Sequence, residues 1–436
     1  MTINSGWVKL LKEHAPEAFT DALPHKPDVV FVDGQIKLMK GEYITTWDGF
    51  LRAQFIGTIE HAFTLGATCV VMAFDDYAHV PRSKNMTQSK RNRSVPAVKF
   101  GECDELPPRP PADWNAAMRN RTFKVKVISF VMNSLRHHYK TEDRQSVVLD
   151  FCGKPEVICG RYELPKMFQN YSEQAALCPK RFQRGECDIK ATNWLPASGT
   201  LLLVSTDGDF VPIALIQLEK HLRVQGNTAN ILIHRIKTKL KDTGKRPRLG
   251  SQKREYEYVD VKKLLGYITT EFPKSENPAL FLGCMVAMTG CDFCMNLPGI
   301  GPSKIWTARH RFRNSQMNTS TEIMTALLLV YNDTYRQRTR GVTAELSQGF
   351  EDTQDARLAY VKLYEQIRKC PSIAARTKAS VWDTDRMMAH VCNTMWTIQY
   401  WELLHEYADP MTGNFGYVLQ NNLVKFAGQL ESKASK

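Results

Sequence analysis

Apolar and polar positions along the chain alternate between two patterns. Compact runs rich in Val, Ile and Leu read as buried strands: DVVFVD (28–33), CVVMAFDD (69–76), SVVLDF (146–151), TLLLVSTD (200–207) and NILIHRI (230–236). Between them, apolar residues recur at helical spacing over 7–14, 48–65, 116–139 and 211–222. Strands alternating with helices predict an α/β fold whose mainly parallel, twisted sheet is flanked by helices. From about residue 311 onward the pattern predicts helix, most clearly in VWDTDRMMAHVCNTMWTIQYWELLHEY (381–407). The chain therefore divides into a core, 1–310, and a helical C-terminal region, 311–436. Two stretches break the pattern. An insertion over 82–125 holds the basic run RSKNMTQSKRNRSV and the proline-rich ELPPRPPAD, and a basic loop over 237–255 lies in a segment with nine Lys or Arg among residues 235–254.

Three of the five strands end in aspartate. In an open parallel sheet the carboxyl ends of all strands share one edge, so Asp33, Asp75 and the pair Asp207 and Asp209 are expected to converge there. RGECDIKATNWL (184–195) adds Glu186 and Asp188, 21 residues before Asp207 and Asp209. Asp292, after the apolar helix ALFLGCMVAM and just ahead of a glycine turn, completes seven. So many carboxylates in one place hold one another's pKa values up unless divalent cations neutralise them. An all-oxygen donor set of this kind suits Mg²⁺ or Mn²⁺. Two such ions roughly 4 Å apart clamp a phosphodiester between attacking water and leaving oxygen. Asp150 also ends a strand, but nothing else in the sequence marks it as a ligand.

Composition narrows the partner. Lys and Arg outnumber Asp and Glu by 58 to 45 in 436 residues, a formal charge of +13, which favours a polyanion such as nucleic acid. Eleven scattered cysteines read as reduced thiols, and the N-terminal stretch has no signal-peptide pattern, so an intracellular, soluble protein is expected. The longest apolar stretch, 279–291, is shorter than the roughly 20 residues that a membrane helix needs. CDFC (291–294) is the only C-x-x-C, and no second pair stands at zinc-site spacing, so buried thiols are expected there. No phosphate-binding G-x-x-x-x-G-K-[ST] occurs, so ATP hydrolysis is not expected.

In this order the acids resemble the flap endonuclease/XPG group of structure-specific 5′ nucleases. VFVDG, FDD, the pair in GECD, STDGD and AMTGCDFC…GIG stand where that family has its metal-binding acids, and the resemblance runs from GWVKLL to GIGPSKIW near residue 306. It implies a PIN-like core, Mg²⁺-dependent hydrolysis of DNA at or near 5′ ends, and Asp33, Asp75, Glu186, Asp188, Asp207, Asp209 and Asp292 as catalytic metal ligands. In KNMTQSKRNR, Lys84 precedes Lys90 and Arg91 by six and seven residues, a spacing that puts all three near one helix face. The resemblance makes Lys84 and Arg91 catalytic at the base of a helical gateway, with Lys90 a supporting phosphate contact. In LPGIGPSKIW, Gly299 and Gly301 permit a tight turn that lets backbone N–H groups approach a phosphate, and Lys304 adds a charge. The family uses this helix-two-turn-helix to grip duplex DNA around a bound K⁺.

Other readings compete. AHVPRSKNMTQSKRNR also resembles XRN-type 5′→3′ exoribonucleases, in which Gln88 would help bind a 5′-monophosphate. A nuclease-like binding module without activity is a third reading, against which the full set of acids counts. Asp188 stands where the flap family has Glu, and Asp76 where it has Gly. QNNLVKFA (420–427) partly resembles a peptide that docks on a sliding clamp, but Ala427 stands where an aromatic anchor belongs, which favours an amphipathic helix end. The protein is otherwise expected to act as a monomer.

Overall fold

The computed structural model describes residues 5–41, 44–75, 105–140, 145–151, 154–165, 168, 186–237, 255–291, 293–294, 301–314, 316–320, 322–324, 326–327, 394, 396–398, 400–402, 404, 417–420 and 423–426. The five expected strands all form: β2 (Val29–Asp33), β3 (Cys69–Phe74), β4 (Ser146–Phe151), β6 (Thr200–Val204) and β7 (Asn230–Ile236). All five run parallel. Three further strands complete a mixed sheet of eight in the order β1-β8-β7-β6-β2-β3-β4-β5. β5 (Lys154–Cys159), β8 (Tyr256–Asp260) and β1 (Phe19–Thr20) pair antiparallel at the two margins. The chain is thus α/β, with a mostly parallel sheet flanked by helices.

The parallel strands are apolar throughout because both their faces are covered. Odd-numbered residues Phe31, Val71, Leu203 and Ile233 join one core with α8 (Phe210–Leu222), α9 (Val261–Glu271) and α10 (Pro278–Met288). Val30, Val32, Met72 and Leu149 join the other, under helices α3 (Trp47–Leu51), α4 (Gly57–Thr64) and α6 (Arg121–His138). Every residue of α10 is buried, which explains its uninterrupted apolar sequence. Among the described residues no helix is long and apolar enough to cross a membrane.

Several expected elements differ in detail. The helix expected over 48–65 is continuous, but its middle, Arg52–Ile56, is wound as a π-helix between α3 and α4. The helix expected over 116–139 is two: α5 (Trp114–Ala117), which begins at a cap where Asp113 accepts from the Ala116 N–H at 3.1 Å, and α6, capped by Asn120 accepting from the Phe123 N–H at 3.0 Å. Where a helix end is expected at 420–427, the described residues are instead strand, with β9 (Tyr417–Gln420) antiparallel to β10 (Leu423–Phe426). Alternating apolar residues in LVKF suit a strand as well as a helix end, and pairing decides between them. The described residues of the expected C-terminal helix at 394, 396–398 and 400–402 are helical, and Trp396, Ile398, Tyr400 and Trp401 pack into the first core.

Helix α1 (Ser5–His14) fastens the N-terminus to the segment after α10. Its Trp7 indole donates to Thr289 Oγ1 at 2.6 Å and meets Trp306 edge-on, ring centres 6.2 Å apart. Trp306 belongs to α11 (Pro302–Thr307).

Candidate metal and phosphate site

Sheet topology creates a switch point at the carboxyl end of β2. The chain moves outward from β2 to β3 and β4, then returns to the other side of β2 as β6 and β7. Loops after β2 and β6 therefore leave in different directions, opening the crevice in which α/β proteins bind ligands. Val32 is paired with Val204, so Asp33 and Ser205 emerge side by side. Gly34 permits the turn: a Cβ there would sit 2.5 Å from the Ala73 carbonyl oxygen and 2.6 Å from the Phe74 ring.

Asp33 is held by two donors. The Gln35 N–H donates to Oδ1 at 3.0 Å, so Asp33 also caps α2 (Gly34–Leu38), and Ser205 Oγ donates to Oδ2 at 3.2 Å. Burial pushes its pKa up to about 8, and the charges of Asp75, Asp207 and Asp188 push the same way against the Gln35 N–H. Asp33 thus lies within electrostatic reach of three of the other expected acids, and the four are gathered from four separate parts of the chain.

Each neighbour has its own support. Asp75, half-buried just past β3, accepts from the Cys187 N–H at 2.9 Å. Asp207 receives the Asp209 N–H at 3.1 Å, while its own N–H donates to Ser205 Oγ at 3.2 Å. Glu186 and Asp188 are 1% and 3% exposed, at the start of α7 (Cys187–Ala191), and Asp209 is 1% exposed where α8 begins. The Asp209 charge is among the causes that hold the Cys291 thiol well above its ordinary pKa, after burial and the Cys294 thiol, which places it toward the segment that carries Asp292. Among the described residues neither Asp33 nor Asp75 forms an ion pair.

Four groups that sequence reasoning did not single out shape the site. Lys190 is 1% exposed and reaches across the strand ends: its Nζ donates to the Phe74 carbonyl at 2.6 Å and lies 3.5 Å from Asp150 Oδ1. Trp194 Nε1 donates to Asp150 Oδ2 at 3.4 Å. Asp150 is therefore the structural partner of a buried lysine, and the pair ties α7 to β3 and β4. Lys124 of α6 is lowered in pKa by burial, opposed by the nearby Asp75 charge, so a cation stands at the rim beside that carboxylate. Ser205 had no sequence signal beyond its place after a strand. Lys190 had one, falling four residues after Glu186 on the same short helix.

Of the other expected site residues, Gly301 and Lys304 are described. Gly301 precedes α11 in extended conformation, φ −124°, with no atom within 4 Å of where a Cβ would stand. Neither fold nor conformation requires glycine there. Lys304 is exposed. Cys291 and Cys294 are buried free thiols with Sγ atoms 3.4 Å apart. Lys84, Gln88, Lys90, Arg91, Asp292 and Gly299 lie outside the described residues.

The donor set is all oxygen and carries mutually destabilising negative charge, so its chemistry fits Mg²⁺ or Mn²⁺. Among the described residues, no three Asp, Glu, His or Cys side chains converge into a direct ligand shell. Mg²⁺ characteristically retains several waters and takes one or two carboxylates directly, a mode these side chains can serve. Comparison of the chain with models of known protein families gives no match. Comparison with curated proteins gives none either.

Proposed function

We propose that the chain is a metal-dependent, structure-specific 5′ nuclease with a PIN-like core, hydrolysing phosphodiester bonds in DNA at or near 5′ ends, at flaps, nicks, gaps or bubbles. The observation that carries this reading is the electrostatic grouping of Asp33, Asp75, Asp188 and Asp207 around the switch point of a parallel sheet. Such a group stores repulsion that a divalent cation relieves.

In this reading Asp33, Asp75, Asp188 and Asp207 hold the cations together with Glu186, Asp209 and Asp292. Bound Mg²⁺ or Mn²⁺ supplies an activated water and charge stabilisation at the leaving oxygen. The protein's own groups prepare the site. Ser205 and the Gln35 N–H fix both oxygens of Asp33, and the Cys187 N–H fixes Asp75. Lys190 locks α7 against β3, which sets Glu186 and Asp188 relative to Asp75. Lys124, beside Asp75, offers a cation to a substrate phosphate at the rim. Asp33, at about 8, carries its proton at neutral pH in the metal-free protein, so metal loading displaces a proton there.

The test uses labelled 5′-flap DNA, nicked duplex and 5′-monophosphorylated RNA, each with Mg²⁺ or with EDTA. Flap cutting with Mg²⁺ alone is expected, and Asp207→Asn abolishes cutting while leaving binding intact. Cutting that survives this substitution overturns the site assignment. Degradation of the RNA alone transfers the site to a 5′→3′ exoribonuclease, and no cutting of any substrate makes the chain a binding module.

A further inference from the structure

A second surface continues from the carboxylate rim. On the face of the sheet that carries α6, β7 and β8 place His234 opposite Tyr258. The His234 ring lies 4.9 Å from Tyr258 at an interplanar angle of 22°, and 4.9 Å from Tyr256 at 36°. Three rings thus form a ladder at the margin of the sheet. Tyr256, at its outer end, is 39% exposed. Cross-strand packing explains the contact of His234 with Tyr258. The diagonal contact with Tyr256 follows from the same packing, but it leaves the Tyr256 ring exposed at the end of the stack.

The ladder has basic neighbours. Lys40 Nζ lies 6.0 Å from the centre of the Tyr256 ring, the outer limit of cation–π attraction, so its charge remains available to another partner. Lys37 stands in the last turn of α2, pushed down to about 8 by burial and by Lys40. Burial together with Lys37, His61 and Lys40 holds His234 down at about 4, a neutral aromatic ring at physiological pH. Helix α2 links this surface to the rim, since Asp33 caps its N-terminus. On β7, Arg235 stands beside His234 in sequence and within electrostatic reach of Asp207.

We propose that Tyr256, His234 and Tyr258 form a stacking platform for unpaired bases of a single nucleic-acid strand whose phosphates run past Lys37 and Lys40 toward the carboxylate rim. Sequence-tolerant stacking beside a basic track is how single strands are gripped without base readout. Two lysines beside stacked aromatic rings complement a polyanion that carries its own flat rings, which favours that occupant over a folded protein. Delivery to the rim rests on the nuclease reading; the binding itself does not.

The experiment is fluorescence anisotropy in EDTA, where no cutting occurs, with short labelled polythymidine, polyuridine and a blunt duplex. The intact chain is compared with Tyr256→Ala, Tyr256→Phe and Lys40→Ala. Tyr256→Ala is expected to weaken single-strand binding about tenfold and Tyr256→Phe to preserve it, as stacking requires. Lys40→Ala lowers affinity and flattens its salt dependence. Replacing the bases with abasic residues costs the intact chain affinity and costs Tyr256→Ala less. The proposal is overturned if abasic and normal strands bind the intact chain equally, or if Tyr256→Ala and Lys40→Ala both bind like the intact chain. Equal losses on both oligonucleotides assign the platform to either sugar; a loss on one alone assigns it to that one. Binding that depends on Tyr256 in a chain that cuts nothing retains the platform while ending the nuclease reading.

Discussion

Ser205 donates its hydroxyl to Asp33 Oδ2 at 3.2 Å, joining the ends of two neighbouring strands whose residues are 172 apart in sequence. The same hydroxyl oxygen accepts the Asp207 N–H, so one small side chain holds acids from both sides of the switch point. Ser205→Ala is expected to cost about 1 kcal/mol of stability, the loss of a buried hydrogen-bonding group, and to weaken Mn²⁺ binding. Thermal melting and calorimetric Mn²⁺ titration measure the two effects. Unchanged Mn²⁺ affinity removes Ser205 from the site.

Asp33 gives the metal-free protein a specific pH dependence. Its native pKa of about 8 compares with about 4 for an unfolded aspartate. Between these values the native state binds the proton and the unfolded chain does not. Its contribution to stability therefore falls as pH rises through that window, by at most about 1.4 kcal/mol per pH unit, and is constant below about 4. In EDTA, Asp33→Asn should gain on the unsubstituted protein steadily from about pH 5 to about pH 8. Urea denaturation across that range decides; a pH-independent difference contradicts the assignment.

The Lys190–Asp150 pair is completely enclosed. Lys190→Met strands a buried carboxylate and is expected to destabilise by about 3–5 kcal/mol. Adding Asp150→Asn to that variant should recover part of the loss. A double-mutant cycle by chemical denaturation gives the coupling, and additive losses show that the two residues act separately.

Two glycines, Gly34 beside the candidate site and Gly301 before α11, carry opposite expectations. Gly34→Ala forces a Cβ into the Ala73 carbonyl and Phe74 ring and should cost about 1–3 kcal/mol. Gly301→Ala meets nothing and needs no unusual backbone angle, so melting should be unaffected. If Gly301→Ala nonetheless lowers affinity for duplex DNA, the glycine is there for the close approach of a phosphate. Equal affinity removes that segment from the nucleic-acid interface.

Legibility of the sequence followed local physics. β2, β3, β4, β6 and β7 were readable because strands covered on both faces are written as unbroken apolar runs. β5 was not: KPEVIC carries a proline that only a marginal strand accepts, at Pro155 opposite Asp150. YEYVD of β8 alternates, and its tyrosines turn to the side where the aromatic ladder forms. At the rim, Asp33 and Asp75 were readable as strand-end acids. Asp150 has the same local appearance as they do, yet its carboxylate is taken up by Lys190, which arrives from a helix 40 residues later. Only the tertiary arrangement separates a strand-end carboxylate that meets a lysine from those that meet one another.

Phe293 sits against Tyr400 and Trp401, and the Gln217 and Lys220 side chains of α8 donate to backbone carbonyls of Trp401 and Glu402. The distal helix is therefore a floor beneath both the C-terminal half of α8 and the Cys291–Cys294 segment. A chain trimmed at residue 311 would leave that floor open and the far end of α8 and Phe293 uncovered, so a working fragment has to retain the stretch through Leu404.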